Sequence, residues 1–300
     1  MKFSGRRWIQ DPVTAIIAAA ILFGIATPVL KLLLSEVTPV LLVALLSVGA
    51  GGGILCWLIL CRLDFTGLAK LFLPGRDRYL LAGTMVIGGV IAPLVQFTSL
   101  VVTPATTASL LLNFEIVSTV LVAFLLFHEQ VDWMTGLALV AILAGSILLS
   151  WNGGGIFDFS IGAAGIILSC FLWGLDNNFM GRISAPAPGM IVVIKGLFGG
   201  GIAWVLVILF REPFPGWVPL MFALLTGFLS FGVGLVLLIT ALHAMGAARA
   251  GAVYAAAPFV GCVTSLLLFS DRLENQFWVA LCLFLAGSLV IIRKQWNRQE

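Results

Sequence analysis

The chain has 300 residues, of which 61% are hydrophobic and only 10% charged. Soluble domains run at about 45–50% apolar and about 25% charged, so this composition excludes a water-soluble globule. The net charge of +3 is scattered among short loops without a basic stripe, which leaves out nucleic acid as a partner.

The mean hydropathy is +1.15, and the apolar residues form long blocks without the alternation of a transmembrane barrel, so the fold class is an all-α integral membrane protein. A window of about 20 apolar residues spans a bilayer. It predicts spans at 12–34, 38–60, 78–100, 104–127, 132–150, 160–182, 188–210, 217–241, 248–269 and 275–293. The first span follows Lys2, Arg6 and Arg7 but is too long for a signal peptide and lacks a small-residue cleavage site. Asp11-Pro12, Thr38-Pro39 and Thr103-Pro104 read as helix starts, with a capping side chain before a proline whose missing N–H costs nothing.

Ten spans put 12 of the 16 Lys and Arg on the side of both termini, and only Arg211 and Arg272 on the other. That asymmetry predicts cytoplasmic termini. Trp8, Trp133, Trp151, Trp217, Trp278 and Trp296 fall near predicted span ends, as an interfacial belt requires. The five cysteines form neither a CxxC pair nor a zinc spacing and read as packing residues, so no metal and no cofactor is expected.

The two halves resemble each other. Phe23-Gly24 matches Trp173-Gly174, and Pro39 matches Pro188. Leu126, Phe127 and Glu129 parallel Leu268, Phe269 and Asp271, and Ala144-Gly145-Ser146 parallels Ala286-Gly287-Ser288, at an offset of 142. Residues 1–150 and 151–300 are thus expected to be two five-helix repeats. An odd number of spans per half makes the repeat inverted, with a substrate site near the midplane between the halves. Gly49, Gly51, Gly52 and Gly53, and Gly196, Gly199, Gly200 and Gly201, read as tight helix seams. Pro28, Pro93 and Pro258 fall inside spans, where each bends its helix and frees a carbonyl.

These features resemble the drug/metabolite transporter superfamily, in its ten-span, two-repeat EamA branch. The aromatic-Gly and following basic residue of the family's first span appear as Phe23, Gly24 and Lys31, and again as Trp173, Gly174 and Arg182. The proline and basic residue of the next span appear as Pro188 and Lys195, whereas Pro39 is followed by Leu46 and Ser47. The mid-span proline and closing acid appear as Pro258 and Asp271; the first copy has Ile116 and Glu129. The resemblance implies secondary transport rather than enzymatic activity, with export of metabolites, among them aromatic and other neutral amino acids. No GxxxxGK[ST] phosphate loop is present.

Ionisable side chains at bilayer depth are costly and need a reason. Glu115, halfway along span 4 beside Asn113, reads either as a proton-coupling site or as a packed partner of that asparagine. Asp176 and Lys195 lie at similar depth on either side of the turn between spans 6 and 7, where an ion pair can brace the hairpin. The alternative makes Asp176, Asn177 and Asn178 a mouth that binds a zwitterion.

Trp173 lies mid-span, one turn from Asn177, and its repeat partner is Phe23. Together they would line an aromatic cavity, with Tyr254 and Gln96 nearby, or else simply fill the core. Pro28 and Pro258 are candidate gating positions. Lys31 and Glu36 are expected to snorkel to the headgroups, and His128 and His243 to be solvated.

The expectation is a monomeric exporter of small neutral or aromatic molecules in a bacterial inner membrane. A multidrug, nucleoside or lipid-carrier translocator is the alternative. An intramembrane lipid-modifying enzyme would need paired catalytic groups at one depth, and the spans offer isolated acids.

Overall fold

Hydropathy says which segments are helical, and caps say where they start. Asp11 accepts hydrogen bonds from the N–H groups of Val13 and Thr14, Thr38 from Leu41, and Ser160 from Ala163, at 3.2–3.4 Å. Thr103 departs from the expectation. Its hydroxyl donates back to the Ser99 carbonyl at 2.7 Å, so it closes one helix and does not cap the next.

In the computed structural model, which describes residues 11–61, 76–128, 131, 133–150, 160–183, 188–245, 250, 253–269 and 275–297, these segments form ten helical spans. The first two are α1 (Pro12–Leu33) and α2 (Pro39–Leu60). Next, α3 joins Arg76–Val86, a π-helical stretch Ile87–Ile91, and Ala92–Val102. α4 is in two pieces, Ala105–Leu111 and Phe114–Phe127. Then come α5 (Trp133–Ser150), α6 (Ile161–Met180) and α7 (Pro188–Phe210). α8 joins Trp217–Thr226, a π-helical stretch Gly227–Gly234, and Leu235–Met245, followed by α9 (Ala257–Leu268) and α10 (Asn275–Asn297). Six spans, α1 to α4, α7 and α8, are long and apolar enough to cross a membrane. No strand occurs among the described residues.

The close contacts show the repeat directly, because each has a counterpart at the same offsets. A methyl added to Gly24 of α1 would fall 2.7 Å from Val260 Cβ of α9, and one on Gly174 of α6 would fall 2.8 Å from Ser118 Cβ of α4. Gly145 of α5 faces the Ala280 carbonyl of α10, and Gly287 of α10 faces the Ala138 carbonyl of α5. The most extensive contact, α2 against α7, is its own counterpart: Gly51 meets Gly196, and Ser47 meets Gly200. Exchanging α1 with α6, α2 with α7, α4 with α9 and α5 with α10 maps these contacts onto themselves.

Lipid supplies no hydrophobic drive for helix association, so such seams need residues without side chains. Gly52 and Gly201 are not part of them. Gly201 has nothing within 4 Å of an added methyl, and Gly52 meets only Val48 of its own helix. Trp133, Trp217 and Trp278 are exposed, whereas the side chains of Trp8, Trp151 and Trp296 lie outside the described residues, as do Glu129 and Asp271. Cys170 and Cys262 are buried packing residues, but Cys56 and Cys282 are exposed on outer faces.

The mid-span breaks are better matched than the prolines suggest. Pro258 lies in the first turn of α9, after a turn at Ala255 and Ala256, rather than in mid-helix. α4 breaks at the equivalent level, at Leu112 and Asn113, with no proline at all. There the Asn113 Nδ2 donates to the Leu110 carbonyl at 3.0 Å, while the Asn113 N–H takes the same carbonyl. An asparagine that competes for backbone carbonyls does in one half what proline does in the other. Pro28 stays inside the unbroken α1, and Pro93 follows the π-helical stretch of α3.

Lys31 does not snorkel. Its Nζ donates to the Leu100 and Val101 carbonyls at 2.7 and 2.8 Å, satisfying the last turn of α3 and placing a cation at that helix's negative end.

Candidate functional site

A cavity of about 60 Å³ lies where the two halves meet, and its walls obey the repeat. Phe23 with Trp173, Val43 with Val192, Leu46 with Lys195, and Ser47 with Gly196 are equivalent pairs, and all eight residues line it. The cavity therefore sits on the axis relating the halves. Both π-helical stretches reach it as well, through Gly88 and Gly89 from α3 and Phe231 from α8. Water needs about 10–15 Å³ of such volume per molecule, so the present space holds on the order of four waters. That is too little for an aromatic ring.

Four aromatic side chains line it, Phe23 and Phe97 from the first half and Trp173 and Phe231 from the second. Phe23 meets Phe231 and Tyr254 edge-on at centroid distances of 5.7 and 5.6 Å, and Phe231 meets Phe97 at 6.4 Å. The Trp173 indole N–H donates to Gln96 Oε1 at 2.8 Å. Gln96 belongs to the first half and Trp173 to the second, so this bond holds the ring and crosses the interface. Lys195 Nζ lies 5.3 Å from the Trp173 ring centroid, and Lys195 is the one charged residue among those lining the cavity.

Behind that wall stands a polar cluster carried by α6. Lys195 Nζ donates to Asp176 Oδ2 and contacts Met180 Sδ at 3.8 Å; both members of the ion pair are buried. Asp176 is seated against Gly88, where any β-carbon would overlap its carboxylate. Its second oxygen, Oδ1, is buried without a well-formed hydrogen bond, with the Thr84 hydroxyl beside the carboxylate. Asn177 Nδ2 donates to Glu115 Oε1 at 2.6 Å. Asn178 Nδ2 donates to the Thr119 and Gly174 carbonyls at 2.8 and 2.9 Å. Arg182 donates to Asn178 Oδ1 at 2.8 Å and lies 3.6 Å from the Phe127 ring. Glu115 occupies the first turn of the second piece of α4, at the positive end of that half-helix.

The structure brings together Phe23, Gln96, Trp173, Asn177, Tyr254, Glu115, Asp176 and Lys195. Of these, Phe23, Trp173 and Lys195 touch the cavity, Gln96, Tyr254 and Asp176 each contact one of those three, and Asn177 and Glu115 bond to each other without lining it. Asn113 is wholly buried in the α4 break, and its Oδ1 has no partner. Pro28 and Pro258 are buried and do not line the cavity. Sequence reasoning missed Val43, Leu46, Phe97 and Phe231. The first two were within reach, since the offset that pairs Pro39 with Pro188 also pairs Leu46 with Lys195.

Among proteins of known sequence, an uncharacterized transporter of Methanothermobacter thermautotrophicus is 25% identical over 303 residues, covering 94% of this chain and 85% of that protein. A solved crystal structure superposes with a TM-score of 0.69 at 19% identity, covering 96% of this chain and 99% of the other, and so shares the fold. The model of the EamA-like transporter family matches twice, over residues 12–151 and 160–293. A doubled match, a two-repeat helical membrane fold and a cavity on the repeat axis place the chain in the EamA-like transporter family.

Proposed function

We propose that this transporter exports neutral amino acids, preferentially aromatic ones, by alternating access, with residues 1–150 and 151–300 rocking around the axial cavity. The observation that carries the reading is the cavity itself: aromatic walls from both halves and a single charged group, Lys195. Aromatic walls suit a ring, and one methylene in such a pocket is worth only about 1–3 kcal/mol, so several neutral amino acids share the site. Glu115, held by Asn177, couples export to protons. The protein works as a monomer in the cytoplasmic membrane of a bacterium, with both termini inside.

Flux of labelled phenylalanine, tryptophan, threonine and methionine into proteoliposomes tests this, with and without a pH gradient. Gradient-driven flux that Glu115→Gln abolishes is the expected result. Saturable flux that ignores the gradient would leave a facilitator with a structural Glu115, and no flux of any of the four would remove amino acids as substrates.

A further inference from the structure

The ion pair of Asp176 and Lys195 has an internal control. At the equivalent positions of the first half stand Ala26 and Leu46, in helices that pack through the same glycine contacts. Leu46 and Lys195 line the cavity as counterparts. The fold therefore closes with an alanine and a leucine at these positions, and a buried ion pair is not required by the packing. Burying two charges costs desolvation that apolar residues of similar volume avoid, so the pair calls for a reason other than stability.

Its incomplete satisfaction supplies one. Lys195 offers three N–H donors and, among the described residues, has Asp176 as its only oxygen partner; Asp176 keeps one buried oxygen without a well-formed hydrogen bond, beside the Thr84 hydroxyl. We propose that the pair opens to receive a zwitterion, Lys195 taking the substrate carboxylate and Asp176 its ammonium, and that this exchange selects zwitterions over amines and carboxylic acids. The inference rests on the amino acid reading above and adds the means of selection.

Charge conservation explains the selectivity. A molecule with one charge of each sign gives both buried groups a new partner, so no ion is left alone. An amine pairs with Asp176 and strands Lys195, and a carboxylate does the reverse; either leaves an uncompensated charge in a low-dielectric site. The substrate's ring would then meet Trp173, which already lies beside Lys195.

Thermal unfolding of purified protein with phenylalanine, phenethylamine or phenylpropionate tests the exchange, alongside phenylalanine flux. Wild type is expected to be stabilised by phenylalanine alone. Lys195→Leu should lose phenylalanine flux by at least about tenfold and be stabilised by phenethylamine; Asp176→Ala should show the same loss and be stabilised by phenylpropionate. The double variant Asp176→Ala/Lys195→Leu copies the first half. It should fold, lose phenylalanine flux and respond to neither analogue, which keeps the test decisive if the single variants misfold.

Normal phenylalanine flux in the double variant would overturn the proposal, as would single variants that fold and respond to neither analogue. Wild type that moves no phenylalanine would sink the amino acid reading, whereas the reciprocal response of the single variants needs no flux and judges the exchange separately.

Discussion

The two halves share a backbone plan and differ in chemistry at their meeting point. Where α6 packs on α4, the contact carries Asn177, Asn178 and, opposite them, Glu115, with Asp176 next along α6 set against Gly88 and Lys195. Where α1 packs on α9, the same positions hold Ala26, Thr27, Pro28 and Ala257. The glycines that set the helix distance are retained in both, Gly24 on one side and Gly174 on the other. Packing is thus a property of the repeat, and the charged groups gather at only one of its two equivalent contacts. An inverted repeat turns that difference into an asymmetry across the cavity: polar bonds join α6 to α4 on one side, whereas Phe23 packs on Tyr254 on the other.

Breaking the shared plan should have the largest effect. Gly196→Leu drives a side chain into the α2 backbone at Gly51 and Ser47. Overpacking costs about 1–3 kcal/mol even where side chains can yield, and backbone cannot. We expect no monodisperse protein from it, while Gly201→Leu, on the outer face of the same helix, should purify like wild type; size-exclusion profiles decide.

Removing one charge comes next. Asp176→Ala leaves Lys195 buried without its counter-ion, a change worth about 3–5 kcal/mol, whereas Asp176→Ala/Lys195→Leu should be neutral or stabilising. Unfolding in detergent measures both, and a double variant as unstable as the single one would show that the pair braces the hairpin.

A smaller effect is expected behind the wall. Gln96→Leu leaves the half-buried indole N–H of Trp173 without its acceptor, a cost of about 1 kcal/mol, and should raise the KM for aromatic substrates with little loss of expression. Trp173→Ala should impair aromatic transport more than threonine transport. Equal transport of all substrates in both variants would take the ring out of the site.

The smallest lies at the entrance to α1. The hydroxyl and N–H of Thr14 hold the exposed Asp11 carboxyl below the ordinary carboxylate range. A lowered folded-state value means that the cap contributes at pH above the unfolded carboxylate's value and is lost as pH falls through the lowered one. Asp11→Asn should flatten the acid side of the stability profile slightly, without touching transport.

Much of the plan was legible. Ten spans, the caps at Asp11 and Thr38, the repeat offsets and the unusual position of Trp173 all follow from local pattern, because hydropathy, capping and periodicity are properties of neighbouring residues. The break in α4 was not, since the clue sought was a proline and the chain uses Asn113. Lys31 was misread for a related reason: a lysine near a span end can reach headgroups or a neighbouring helix terminus, and only the position of α3 decides between them.

Sequence by itself determined that this chain lives in a membrane, how many helices it makes and that it is built twice. The tertiary structure alone decided which residues share the cavity. It set Gln96 against Trp173 and Glu115 against Asn177, and it put Leu46 opposite Lys195 across the axis. The physical reason is distance along the chain. A helix's own pattern records which face is apolar, but partners 62 or 77 residues apart meet only through the angles at which glycine seams let helices cross.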